Sequence, residues 1–380
     1  MSDGDFDVCG PLPTGITVLE ASAGTGKTYT IAALAARYVA EGTPLDRLLL
    51  VTFTRMATGE LRDRVRERLV AVEQALEAGG DSDDEVVRLL ADAPPEVVAE
   101  RRANLATALA DFDAATIATT HGFCQEVLGG LGVVGDVERD VELVEDVDDL
   151  LAEVVDDLYV RRFHKAGQAA FSRTEALRIA TAAVHNPAAR LEPADAKAEG
   201  PAMRYRLACR VEEELDARKR RAGVITYDDL LTRLADTLSD ESAVARLRSR
   251  YKVVLVDEFQ DTDPIQWRIL EKAFGGGDVT LVLIGDPKQA IYAFRGADVY
   301  AYLDAARAAT TQATLQVNWR SDEGLLRAYD TMFGGAKLGD EGIVYRTVEA
   351  APPNREPRLT TITKLARGLG VPASELMVGL

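Results

Sequence analysis

The stretch "ITVLEASAGTGKT" (Ile16–Thr28) decides the fold. Its apolar opening, Ile16 to Glu20, predicts a strand. Ala21, Ser22, Ala23, Gly24, Thr25 and Gly26 follow as a glycine-bearing turn. Lys27 and Thr28 then open a helix expected to run to about Ala40. Strand, turn and helix in this order match a phosphate-binding loop, with Ala21 in place of the first glycine. The glycines let backbone N–H groups close around phosphate oxygens, and the helix N-terminus adds its dipole. Lys27 is placed to reach the β- and γ-phosphates of a nucleoside triphosphate, and Thr28 to hold Mg²⁺. An ordinary glycine-rich turn is the alternative, and the Gly-Lys-Thr at the strand–helix junction speaks against it.

A second strand end complements the first. In "VVLVDEFQD" four apolar residues, Val253 to Val256, end in Asp257 and Glu258. Ligands of open parallel sheets bind at that carboxyl edge. Asp257 is expected to help hold Mg²⁺, and Glu258 to orient and deprotonate an attacking water. An isolated Asp-Glu would read as a helix cap; beside a phosphate-binding loop it reads as the other half of an NTP-hydrolysing site. A third strand end, "LVLIGDPKQAIYAFRGAD" (Leu281–Asp298), places Gln289 at the same edge, where an amide can sense a γ-phosphate. Tyr292, Phe294 and Arg295 follow closely. Rings and a guanidinium suit unpaired bases and phosphates, although two core aromatics would give the same pattern.

Strands alternating with helices predict an α/β fold with a parallel sheet. "RLLLVTFT" (Arg47–Thr54) is a strand, the Arg/Glu-rich segment from Ala57 to about Ala78 a helix, and 79–95 a break with a short excursion. "DFDAATIATTHGFCQEVL" (Asp111–Leu128) reads as strand, loop and helix start. From Gly135 to about Gly223 the chain is helical and strongly charged, an insert subdomain. The expected organisation is a first core part at 1–134, the helical insert at 135–223 and a second core part at 224–312. The start of a further domain is placed at 313–348, and a proline-rich linker with a helical tail at 349–380.

Across 380 residues, 47% hydrophobic content and 28% charge fit a globular protein with a large core. No apolar run is long enough to cross a bilayer and the N-terminus is acidic, so a cytoplasmic location is expected and no membrane partner. Three isolated cysteines and three histidines give neither a disulfide framework nor a zinc site. A net charge of −18 disfavours a surface that grips nucleic acid everywhere, yet a channel needs only local positive charge.

Seven segments in order, "EASAGTGKT", "TFTRMATGELRDRV", "TTHGFC", "ITYDDLL", "VDEFQDTDPIQ", "GDPKQAIYAFRGAD" and "VNWRS", resemble the superfamily 1 DNA helicases of the UvrD/Rep type. Their wording is most similar to the RecB branch, and the likeness covers roughly residues 6–359. The resemblance implies a P-loop NTPase with RecA-like domains, driven by ATP and Mg²⁺ along single-stranded DNA in recombinational repair. Single- or double-stranded DNA and other subunits of a RecBCD-like complex are the implied partners. It also implies that Gln289 couples the γ-phosphate to DNA and that Arg320 contacts the γ-phosphate from the second RecA-like domain. Trp319 would stack on adenine. Phe53, Thr54, Thr120, His121, Tyr292, Phe294 and Arg295 match segments that touch the DNA strand.

The chain ends soon after Arg320, so an incomplete second RecA-like domain and no nuclease domain are expected. An alternative is a fragment that binds ATP or DNA without unwinding. The tail "RLTTITKLARGLGVPASELM" (Arg358–Met377) resembles the last helices of lambda-repressor-type regulators, but without a recognition helix it is not expected to read DNA sequence.

Overall fold

The computed structural model describes residues 4–131, 141–144, 146–164, 169–186, 190–195, 198–292 and 297–354. In chain order the first elements are β1 (Gly4–Asp5), β2 (Ile16–Glu20), α1 (Lys27–Ala40), β3 (Leu48–Thr52), α2 (Arg55–Glu77), α3 (Glu85–Ala91), α4 (Pro95–Ala110) and β4 (Thr116–Thr119). Then come α5 (Thr120–Leu131), β5 (Glu142–Val144), α6 (Asp148–Phe163), α7 (Arg173–Val184), α8 (Glu199–Ala222), β6 (Val224–Thr226), α9 (Tyr227–Thr237) and α10 (Glu241–Arg250). The last are β7 (Val253–Val256), α11 (Pro264–Phe274), β8 (Thr280–Gly285), α12 (Val299–Ala308), β9 (Thr311–Thr314), β10 (Val317–Asn318), α13 (Glu323–Phe333) and β11 (Glu349–Ala350). The chain divides into two compact units, residues 1–120 with 244–380, and residues 121–243.

In the first unit a seven-stranded sheet runs β1-β9-β2-β8-β7-β3-β4, and every pairing is parallel. The central strands β2, β8, β7 and β3 are short and mainly apolar, and β3 and β7 are buried throughout. That is the composition a parallel sheet needs when helices cover it. The register sets Glu20 opposite Gly285 and Val256 opposite Leu283, so the carboxyl ends of β2, β8 and β7 lie side by side. Ala-rich α1 is buried from Thr30 to Ala40, because small side chains let it lie close to its neighbours. It packs with Leu61, Val65, Leu69, Val72 and Leu76 of α2, whose three- and four-residue spacing makes one apolar stripe.

The second unit is mainly helical. Leu151, Val154 and Val155 of α6, Ala176 and Ala180 of α7, and Met203, Val211 and Leu215 of α8 form its core with Phe171. Gly223 ends α8 in the left-handed conformation at φ 67°, and β5 then pairs with β6 in parallel. Thr226 and Asp229 cap α9 reciprocally. The unit's bounds, 121–243, are wider than the 135–223 given to an insert.

Three details differ from expectation. The 79–95 excursion contains α3, because Asp84 accepts hydrogen bonds from the N–H groups of Val86 and Val87. Strand β9 spans the 312/313 boundary and joins the main sheet beside β2. Glu349 and Ala350, assigned to a linker, pair in parallel with Val317 and Asn318. The tail at Arg358–Met377 lies outside the described residues.

Candidate nucleotide site

The phosphate-binding loop is built by its two left-handed glycines, Gly24 at φ 86° and Gly26 at φ 88°. Ala21 is buried and donates its N–H to Gly285 O at 2.9 Å, tying the loop to β8. Thr25 donates through both N–H and hydroxyl to Ser22 O, closing the turn. Ser22 Oγ is buried and has no hydrogen-bond partner. Gly26 caps α1, so the first-turn N–H groups of Lys27 and Thr28 have no intrahelical acceptor. Thr28 is exposed at the mouth of a cavity of about 800 Å³ between α1 and α2.

Lys27 Nζ donates to Glu258 Oε2 at 2.6 Å, joining the β2 and β7 ends. Glu258 is the one non-glycine among the described residues with positive φ, 49°. Such strain persists only where its surroundings enforce it, which fits a side chain held for a purpose. Asp257 beside it is pushed up to about 6, first by burial and then by the Glu258 charge. Asp261 is pushed up to about 6 by the same two causes in the same order.

Gln289 follows β8 and donates from Nε2 to Asp286 Oδ2 at 2.6 Å. Lys288 spans from Asp286 Oδ1 at 2.8 Å to Glu20 Oε1 at 2.7 Å. Burial alone would lower the Lys288 pKa; the Glu20 and Asp286 carboxylates outweigh it and raise it. Glu20 also accepts from Arg346 at 3.2 Å.

Trp319 and Arg320 lie against the loop. Trp319 N–H donates to Gly24 O at 2.8 Å, and Asn318 Nδ2 donates to Ala23 O at 2.9 Å. A Cβ added to Gly24 would meet Arg320 Cβ and Asn318 Oδ1, each at 2.8 Å, so only glycine fits. Trp319 Cδ1 would lie 3.8 Å from a Cβ at Gly26, and Tyr29 Cβ 3.9 Å away on the same glycine. Trp319 is 61% exposed, leaving its ring open for a second flat group.

The expected strand-contacting residues divide. The Phe53 and Tyr292 rings pack at a tilt of 31° with centroids 5.6 Å apart. Thr54 caps α2 by accepting from Ala57 N–H at 3.1 Å. Thr120 is buried at the start of α5, at the end of the first unit. His121 opens the second unit and packs edge-on against Tyr227, its pKa lowered by burial with Asp228 opposing. Phe294 and Arg295 lie outside the described residues.

Sequence reasoning missed Gln260, Asp286, Lys288 and Asn318. Each sits inside a motif already singled out, where the spacing of polar residues between a strand end and a turn was the available signal.

Residues 8–310 match the UvrD/REP helicase N-terminal domain. The chain belongs to that family. It is 49% identical to the RecBCD enzyme subunit RecB of Mycolicibacterium smegmatis, over 94% of this chain and 34% of that protein. Against the RecB subunit of Mycobacterium tuberculosis the identity is 48%, over 91% of this chain and 32% of that one. With Escherichia coli RecB it is 26%, over 95% and 41%. The chain thus spans about a third of the length of the two mycobacterial relatives. Among the described residues no helix is long and apolar enough to cross a membrane.

Proposed function

We propose that the chain is the ATP-hydrolysing part of a RecB/UvrD-type helicase acting on single-stranded DNA in recombinational repair. We place it in the cytoplasm with other subunits of a RecBCD-like complex. The observation that carries the reading is the Lys27–Glu258 contact at 2.6 Å, which joins a phosphate-binding loop to a strand-end carboxylate. Lys27 exchanges that carboxylate for phosphate oxygens when nucleotide enters, and the loop and α1 N–H groups cradle the β-phosphate. Glu258, released from Lys27, accepts a proton from the attacking water. Thr28 and Asp257 are the residues that would hold Mg²⁺, which when bound neutralises developing phosphate charge. A carboxyl tuned to about 6 still ionises at neutral pH, and an orphaned Ser22 hydroxyl and glycine-lined loop fit a phosphate-bearing ligand. Trp319 stacks on the base, Arg320 reaches the γ-phosphate, and Gln289 relays its presence. The resemblance to the family assigns contacts with the strand to Phe53, Thr54, Thr120, His121, Tyr292, Phe294 and Arg295.

The test is ATP hydrolysis by the full chain with and without single-stranded DNA, beside Lys27→Ala. Hydrolysis that rises with DNA and disappears in the variant is expected. Nucleotide binding without DNA-dependent hydrolysis would sink the autonomous motor and leave the alternative, a module that binds ATP or DNA without unwinding.

A further inference from the structure

We propose that Gln260 is a positioning residue that makes Glu258 and the Asp286–Gln289 turn move as one, so that nucleotide occupancy sets affinity for a DNA strand. The inference rests on the functional reading above and names the side chain that would carry its coupling.

Gln260 is 2% exposed, and both ends of its amide are engaged. Nε2 donates to Glu258 Oε2 at 2.8 Å and to Asp261 Oδ2 at 3.1 Å. Oε1 accepts from Asp286 N–H at 3.0 Å. Asp286 in turn accepts from Gln289 Nε2 and from both the N–H and Nζ of Lys288. An unbroken path therefore runs from Lys27 through Glu258, Gln260 and Asp286 to Gln289. Three residues beyond Gln289, the Tyr292 ring packs against Phe53.

The path has no slack. A Cβ at Gly285 would meet Gln260 Oε1 at 2.8 Å, Gln260 N at 3.0 Å and Phe259 N at 3.2 Å, so β8 lies directly against this side chain. An amide held at both ends in a buried site cannot turn without leaving polar groups unpaired, at a cost of about 1–3 kcal/mol each. Glu258 Oε2 receives both Lys27 and Gln260. When phosphate draws Lys27 away, Gln260 becomes its remaining described side-chain donor, and a shift of the carboxylate is passed to Asp286. Coupling of this kind is a free energy shared by two sites, and it is reciprocal.

The experiment reads binding, not turnover. Fluorescence anisotropy of a labelled single-stranded oligodeoxynucleotide gives the Kd of the full chain with and without a saturating non-hydrolysable ATP analogue and Mg²⁺. The wild type is expected to change Kd by about fivefold or more. Gln260→Met keeps length and burial but removes both polar ends. It should bring the ratio to within about twofold of one while still binding analogue and oligonucleotide separately. Combining it with Gln289→Ala should lose no further coupling, because both lie on one path. A wild-type ratio retained in Gln260→Met overturns the proposal. So does loss of both binding activities together with folding in Gln260→Met, if Gln260→Glu, which keeps the acceptor for Asp286, also keeps the wild-type ratio. If the wild type binds both ligands with a ratio of one, this inference alone fails. If it binds neither, the functional reading fails and takes the inference with it.

Discussion

The two compact units differ in where most of their charge lies, although the second also buries one pair, Lys219–Asp229 at 2.6 Å. In the first, the ends of β2, β7 and β8 gather Glu20, Lys27, Glu258, Asp286 and Lys288 into partly buried pairs. In the second, most ion pairs lie on the outside, such as Arg173–Asp156 with both side chains about half exposed, while apolar side chains make the core. Buried charge is expensive unless paired or hydrogen-bonded. Exposed pairs contribute little to stability. What sets the strand ends apart is the direction of the shift: burial and the Glu258 charge raise Asp257 and Asp261 to about 6, whereas Asp156, Glu214 and Asp229 of the second unit are lowered by their basic partners.

The sharpest way to break this contrast is at Lys27. Lys27→Ala should lower ATP hydrolysis by about 100-fold or more while the circular dichroism spectrum stays that of the wild type. A folded variant retaining hydrolysis would remove the site from this edge. The counterpart in the second unit is its apolar core. Leu151→Ala, at a fully buried position, should cost about 2–5 kcal/mol in urea unfolding of the full chain.

An intermediate effect is expected at Arg68, which forms a bidentate pair with Asp84 and lies over the Tyr29 ring at 5.1 Å. Arg68→Ala should destabilise by about 1–3 kcal/mol, since Asp84 still caps α3 without it.

The pH dependence refines the comparison further. Asp257 and Asp261 hold protons in the folded chain up to about 6, whereas the free acid releases them near 3.8. Between those values the folded state binds more protons than the unfolded one, so stability falls as pH rises from about 4 to 6 and then levels. Melting temperatures in Mg²⁺-free buffer should trace that slope, and Asp261→Asn should flatten it. The smallest effect belongs to Arg173→Ala, whose exposed pair with Asp156 should leave the urea midpoint unchanged within error.

How much was legible in the sequence follows from the range of each constraint. The phosphate loop was readable because strand, glycines and helix start are contiguous, and Asp257 and Glu258 because an apolar run points at them. Gln289 was readable at the same edge because it too follows an apolar run, whereas the order of the seven strands needed the register between distant segments. Gln260 sits between Phe259 and Asp261, and its importance lies in burial, which no local pattern encodes. The two-residue pairing of Val317–Asn318 with Glu349–Ala350 is too short for any periodicity, and the prolines after it suggested a linker. Phosphate contacts are specified by neighbours in sequence, whereas their coupling is specified by neighbours in space.

That small pairing also shapes how this protein can change. Strands β10 and β11 are adjacent, and Asn354 Nδ2 donates to Trp319 O at 2.8 Å, so the chain leaves the nucleotide site after Trp319 and returns to it at 349–354. Everything between is a detour with its two ends fastened together. Lengthening such a detour at an exposed turn, for example at Gly339 with φ 85°, adds only slowly growing loop entropy. An insertion confined to the largely exposed turn at 335–342 would leave that fastening, and the Arg346–Glu20 contact, in place, which makes the turn a natural place to graft new contacts.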